Sequence, residues 1–205
     1  MTARPRSALV VVDLQNDFCT GPRATARYRG DPATLDAVTT NACRAVDTAR
    51  AHGVEVLFVR FLGDRELQGP SWRRRDLALG KEPKCRGGSW GAEFHRVSPA
   101  PEEHVFTKRA CFDAFLADGF EAHLLRQDIA HLVFAGLYTD VCVDSTARTA
   151  FQKGRHVTVL SDCTTSLHLP DEEILRFMTV VYGAEITTHD RPERWTSTPA
   201  AEEDT

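Results

Sequence analysis

Cys142, Asp13 and Lys108 are the residues of this chain whose types and surroundings suit covalent chemistry. Cys142 follows the apolar run Leu132-Val133-Phe134-Ala135, then Gly136 and the stretch Leu137-Tyr138-Thr139-Asp140-Val141. The run reads as the end of a buried strand, Gly136 as the turn that breaks it, and Thr139 or Asp140 as a helix N-cap. A cysteine near a helix N-terminus meets unpaired backbone N–H groups and the positive end of the helix dipole, which favour thiolate over thiol. That suits a nucleophile. A small buried hydrophobe is the other reading, and this stretch alone leaves the two even.

Asp13 ends the β-branched run Ala8-Leu9-Val10-Val11-Val12, and Lys108 ends His104-Val105-Phe106-Thr107. A carboxylate at such a strand tip can take a thiol proton, and an ammonium can hold the resulting thiolate. Each has a blander reading: Asp13 as a turn cap, a task Asn16 or Asp17 fills equally well, and Lys108 as a solvated loop lysine. The eight histidines open strands or lie at element ends and in loops, so Asp13 is the best-placed base. Cys163 is the rival nucleophile; it lacks a helix entry after it and reads as a packed thiol.

The elements that must position these groups follow from pattern. Ala8–Val12, Val54–Val59, His104–Thr107, His131–Gly136, His156–Leu160 and Gly183–Thr188 read as strands. Between them, apolar residues recur at helical spacing in Pro32–His52, in Phe112–Arg126 with a break at Asp118-Gly119, after Cys142 to about Lys153, and in Pro170–Tyr182. Strand–helix alternation predicts an α/β fold: three layers, doubly wound, with a mostly parallel central sheet flanked by helices. In such a sheet ligands bind at the carboxyl ends of the strands, which is where Asp13, Lys108 and Cys142 fall.

Gly21–Asp31 reads as a loop, and Phe61–Pro101 as a long irregular segment rich in Trp and Gly, a substrate-covering loop more than a linker. The run Arg73-Arg74-Arg75 reads as a solvated face. Gly87-Gly88-Ser89-Trp90-Gly91 lacks the strand, spacing and Lys-Ser/Thr of a phosphate loop. Residues 1–190 are expected to form one domain, and 191–205, polar and rich in Pro and acid, a flexible tail.

With 205 residues and a net charge of −4, the chain has no basic stripe for nucleic acid. No apolar run approaches the ~20 residues of a membrane span, and Ala8–Val12 is too short for a signal peptide. Six cysteines without a C-x-x-C pair argue against a disulfide scaffold, so a reducing cytoplasm is expected.

Three segments together resemble the signatures of the isochorismatase-like cysteine hydrolases: Val11-Val12-Asp13-Leu14-Gln15-Asn16-Asp17-Phe18, Thr107-Lys108-Arg109, and Gly136 through Val143. Gly88–Glu93 is similar to the substrate-loop segment of many members. That superfamily includes nicotinamidases, N-carbamoylsarcosine amidases, ureidoacrylate hydrolases and streptothricin hydrolases besides the isochorismatases. The resemblance implies a catalytic triad of Asp13, Lys108 and Cys142, a cis peptide between Leu137 and Tyr138, and an oxyanion hole from the backbone N–H groups of Tyr138 and Cys142. By the same analogy Phe18, Trp90 and Tyr138 wall the substrate pocket.

The implied reaction is C–N hydrolysis of a small amide, carbamoyl or cyclic amide compound through a thioester, with water as co-substrate and a homo-oligomer as the working form. Vinyl-ether hydrolysis of the isochorismatase type is the alternative, and a catalytically silent binding member the third. Nicotinamidases of the family usually carry an Asp-x-His metal motif after the second strand. Here that place reads Arg60-Phe61-Leu62-Gly63-Asp64, so no catalytic metal and no cofactor is expected.

Overall fold

Six apolar runs pair into one sheet whose neighbours are all parallel among the described residues, in the order β3-β2-β1-β4-β5-β6. The strands are β1 Arg6–Val12, β2 Glu55–Leu62, β3 His104–Arg109, β4 Ile129–Leu137, β5 His156–Thr165 and β6 Glu185–Thr187. The structure is a computed structural model and describes residues 6–28 and 30–197. Helices are α1 Asn16–Cys19, α2 Gly21–Arg27, α3 Pro32–Ala51, α4 Pro70–Ala78, α5 Phe120–Arg126, α6 Asp144–Gln152 and α7 Asp171–Tyr182. None of the described helices is long and apolar enough to cross a membrane.

Strand alternation sends the two faces of the sheet into separate cores. Leu9, Val11, Phe58, Val133 and Ala135 pack on Leu35, Val38, Ala42 and Val46 of α3. Ala8, Val10, Val12, Leu57 and Phe134 face the other way, against Phe120 and Leu124 of α5, Ala147 and Ala150 of α6, and Met178 of α7. Ala8–Val12 of β1 and Leu132–Leu137 of β4 are therefore without polar side chains, as strands covered on both sides tend to be. The three-layer, doubly wound expectation holds.

Several local expectations change. Gly21–Arg27 is a helix where a loop was expected, with Pro22 in its first turn. The segment after Phe61 contains α4, and Phe112–Arg126 splits into a 3-10 turn at Ala114–Leu116 and α5 beyond Gly119. The stretch from Arg191 is packed as far as Trp195, which is fully buried in the α3-side core; an indole supplies the apolar anchor that the polar neighbours conceal. Residues 198–205 of the expected tail lie outside the described residues.

Gly136 does not break β4 but lies within it, at φ +114 and in register with Val12. A Cβ there would sit 1.9 Å from the Val12 carbonyl oxygen. No side chain can fit between β1 and β4 at this level, and the strand ends that bear Asp13 and Cys142 approach each other because of it. Gly136→Ala is expected to destabilise the fold by about 3 kcal/mol or more, seen as a fall of roughly 6–12 °C in a thermal melt.

Candidate active site

The site begins at the switch point of the sheet, where β1 leads outward to β2 and β3 on one side and β4 leads to β5 and β6 on the other. Asp13 is the first residue past β1; its N–H donates to Val59 O at 2.9 Å, and its backbone is left-handed at φ +51. A non-glycine residue in that region is uncommon and costs energy unless its surroundings hold it. Here Lys108 holds it. Lys108 lies opposite Phe61 on the outer strand β3, and its side chain crosses β2 to place Nζ 2.6 Å from Asp13 Oδ2. Nζ also donates to Phe112 O at 2.9 Å. Both side chains are shut off from solvent.

Cys142 approaches the same pair from β4. The Leu137–Tyr138 peptide is cis, and Thr139–Val143 forms a π-helical turn that runs straight into α6. Cys142 therefore lies inside the turn, not on its cap. The expected caps do other work. Thr139 shares a 2.7 Å hydrogen bond with Thr164, and the Asp140 carboxylate accepts the backbone N–H groups of Leu167, His168 and Leu169, tying the β5–α7 connection to the site. Thr146 Oγ1 donates to Cys142 O and accepts from Ala114 N, which joins the cysteine turn to the segment that also meets Lys108.

The three groups sense one another's charge. Burial raises the Asp13 carboxyl, with Lys108 and Cys142 pulling it back only in part, so it is a stronger base than an exposed carboxylate. Burial opposes the Lys108 ammonium, but Asp13 and Cys142 outweigh it and its pKa rises. Burial likewise pushes the Cys142 thiol up, against the pull of Lys108. Desolvation thus works against the thiolate expected from a helix N-terminus, while Lys108 favours it. Among the described residues Asp13 Oδ1 accepts no conventional hydrogen bond, and Cys142 is the side chain besides Lys108 that acts on the carboxylate. Cys163 is different. It is fully buried on the α3 side, outside the cavity, with its sulfur 3.5 Å from Asp162 Oδ1.

A cavity of about 310 Å³ opens onto Asp13 and Cys142. Phe18 and Tyr138 form one wall, in edge contact with each other and with the Tyr138 hydroxyl donating to Phe18 O. Trp90 is not part of it. That indole is 57 % exposed and sits near Gly21, while Trp72 on α4 takes the expected place, 4.8 Å from Phe112 and 6.0 Å from Phe61 between ring centroids. The arginine run divides as well: Arg73 and Arg74 are exposed, but Arg75 lines the cavity, stacks 4.1 Å over Trp72 and pairs with Asp76. The aromatic content of the 61–101 segment was the available signal. Which of its tryptophans turns inward is set by α4, whose sequence carries little apolar pattern.

The residues after Asp13 build the wall. Gln15 donates to Phe61 O and Ala92 O and accepts from Phe61 N; Asn16 donates to Trp90 O; Asp17 accepts the Cys85 N–H at 2.7 Å. Gly91 passes so close to Asp17 that a Cβ would lie 2.4 Å from its carboxylate.

Two groups of His, Cys, Asp or Glu among the described residues bring three ligand atoms within 4.8 Å of one another, Glu55/His104/His123 and Asp162/Cys163/His189. Neither lines the cavity.

Comparison with known proteins supplies the lineage. The family model described as Isochorismatase domain matches residues 7–191. A ureidoacrylate amidohydrolase RutB from Yersinia enterocolitica is 29 % identical over 172 residues, covering 77 % of this chain and 74 % of that protein. The crystal structure of an N-carbamoylsarcosine amidase from Thermoplasma acidophilum superposes with a TM-score of 0.76 at 24 % identity, over 90 % of this chain and 97 % of that one. An isochorismatase family protein from Desulfovibrio vulgaris gives 0.76 at 26 % identity, over 93 % and 98 %.

Lys108→Met removes the counter-ion of Asp13 and is expected to cost about 3–5 kcal/mol of stability near neutral pH. Burial then acts alone on Asp13 and lifts its folded pKa further above the unfolded value. A group raised in this way gives stability that is full below its unfolded pKa and lost as pH rises through the folded one. The deficit against the parent protein should therefore shrink from about pH 8 to about pH 5 in urea unfolding; a deficit that grows on acidification would contradict the pairing.

Proposed function

The chain belongs to the isochorismatase family, and on that footing we propose that it is a cysteine amidohydrolase that cleaves a small amide or carbamoyl compound through a thioester. The observation that carries this reading is that Cys142 and Asp13 line one cavity, with Lys108 buried behind Asp13 at 2.6 Å and each group within reach of the others' charge. The curated relative named above is called an amidohydrolase, which supports C–N cleavage as the reaction. A nucleophilic sulfur has no evident use in vinyl-ether cleavage.

In the proposed reaction Asp13 Oδ1 takes the proton of the Cys142 thiol as the sulfur attacks the amide carbonyl. Lys108 keeps its proton throughout and balances the negative charge as it moves from carboxylate to sulfur. The tetrahedral oxyanion is held by the backbone N–H groups of Tyr138 and Cys142. Asp13 returns its proton to the leaving nitrogen; the C–N bond breaks and ammonia or an amine departs, leaving the acyl group on Sγ. Water then attacks the thioester, Asp13 accepting its proton, and the C–S bond breaks to release the acid and restore the thiol. The raised Asp13 carboxyl fits this double duty, because it accepts and gives back a proton near neutral pH more readily than an ordinary aspartate.

Cys142→Ala and Asp13→Asn are each expected to lower kcat for ammonia release by about 10⁴-fold or more, since groups acting as a unit fail together. Mass spectrometry of the parent protein quenched in acid during turnover should find an acyl adduct on the peptide bearing Cys142. Loss of activity on alkylation should follow modification of that peptide and not of the more exposed Cys43 and Cys111. Full turnover after complete modification of Cys142 would exclude the mechanism.

A further inference from the structure

Three neighbouring strands begin with a charged or imidazole side chain on the same face of the sheet. Arg6 on β1, Glu55 on β2 and His104 on β3 each stand two places before a residue of the α5-side core, namely Ala8, Leu57 and Phe106. Strand alternation therefore turns all three toward the α5 layer. Helix α5 meets them with His123, which lies on its buried face with Phe120 and Leu124.

The result is a compact cluster at the amino rim of the sheet. His123 Nε2 and Glu55 Oε1 are 2.5 Å apart, and the rings of His104 and His123 have centroids 4.1 Å apart. One ligand atom from each of Glu55, His104 and His123 falls within 4.8 Å of the other two. His123 is buried and Glu55 partly so, while His104 is exposed beside a surface cleft that Arg6, Glu55 and Gln127 also line. Arg6 holds the other carboxylate oxygen, Glu55 Oε2, at 3.2 Å, and donates to Gln127 Oε1 at 2.8 Å. That leaves Oε1 aimed at the imidazoles, the service that outer partners of metal ligands perform. In the Asp162/Cys163/His189 group, by contrast, the sulfur is fully buried.

We propose that Glu55, His104 and His123 form a binding site for a divalent late first-row metal ion, zinc foremost, which fastens the edge strand β3 and helix α5 to β2. Tetrahedral zinc, with bonds of about 2.0–2.2 Å, sets its ligand atoms roughly 3.4 Å apart. Opening the Glu55–His123 pair by about 0.9 Å admits the ion, a change that rotation of two side chains supplies. Each ring binds in its neutral form through one nitrogen lone pair, and with His104 at the rim a water completes the fourth position. Two imidazoles favour zinc over magnesium or calcium, which prefer oxygen ligands. The site stands apart from the cavity. His104 and Lys108 lie at opposite ends of β3, about 13 Å apart at ~3.3 Å per residue. The ion is a fastener for the strand that carries Lys108, whatever reaction takes place at Cys142.

The test titrates the tag-free, metal-stripped full chain with zinc chloride against a chromophoric chelator. A single zinc per chain is expected, with a Kd of about 1 µM or tighter, and millimolar magnesium should not displace it. Zinc at about 100 times Kd should raise Tm by roughly 5–10 °C. His104→Ala and Glu55→Gln should each weaken binding about 100-fold or more and abolish that shift, whereas Asp162→Asn, in the other group, should leave both unchanged.

Cobalt(II) gives a readout that separates these ligands from the six cysteines: the absorption of a nitrogen–oxygen site with no sulfur charge-transfer band. His104→Ala alters an exposed side chain, and its metal-free melt checks that it is folded, so it decides the question if Glu55→Gln does not fold. No zinc bound at about 100 µM, a thiolate band with cobalt, or undiminished affinity in His104→Ala would overturn the site.

Discussion

A lysine and an aspartate face each other at 2.6 Å with no access to water, and the rest of the site is arranged about them. Neither charge is tolerable alone at that depth, so each makes the other obligatory. The pairing also has a mechanical consequence. Lys108 stands on β3 and Asp13 beyond the end of β1, with β2 between them. The ammonium therefore locks two non-adjacent strands at their carboxyl ends, and a second of its donors secures Phe112 on the cavity wall. Cys142 enters from β4 on the opposite flank, where Gly136 permits the close approach of the two backbones.

Around that pair, polar residues are used as fasteners. Gln15 bonds to both the N–H and the carbonyl of Phe61, 46 residues away in the chain, and Asp17 reaches Cys85, 68 residues away. These bonds explain how a segment with little regular structure can form an ordered wall: its backbone groups are satisfied by side chains planted directly after the catalytic-side strand. The aromatic series Phe18, Phe61, Trp72 and Phe112 then runs along the cavity with successive ring centroids 6.0, 6.0 and 4.8 Å apart. The other carboxylates on the cavity are similarly spoken for among the described residues: Asp76 by Arg75, Glu82 by Arg65 and Asp140 by three backbone N–H groups.

Much of this could be read before any coordinates. β1, β4 and β5 were legible from the apolar runs within them, which a strand covered on both faces requires, and the helices between them because one face alone is buried. Asp13, Lys108 and Cys142 were legible as a group because a parallel sheet gathers its carboxyl ends on one rim, whatever the loops do. The burial of the sulfur was not, since position near a helix start suggests an accessible thiolate, and desolvation acts against it. Nor were the tasks of Thr139 and Asp140. As N-cap types they suit a helix start, yet their partners are Thr164 and the residues after Ser166, which no local rule brings near.

The chain by itself determined the architecture and the gathering of Asp13, Lys108 and Cys142 at one rim, because periodicity and strand ends are properties of short segments and of one topological rule. Tertiary structure decided what surrounds them: that Trp72 and not Trp90 faces the cavity, that Arg75 leaves the solvated run, that Trp195 is core, and that Arg27 and Lys84 share a wall. Each of these depends on which distant backbone group a side chain happens to meet. Loop conformation is fixed by such long-range bonds, and they leave no periodic trace in the residues that make them.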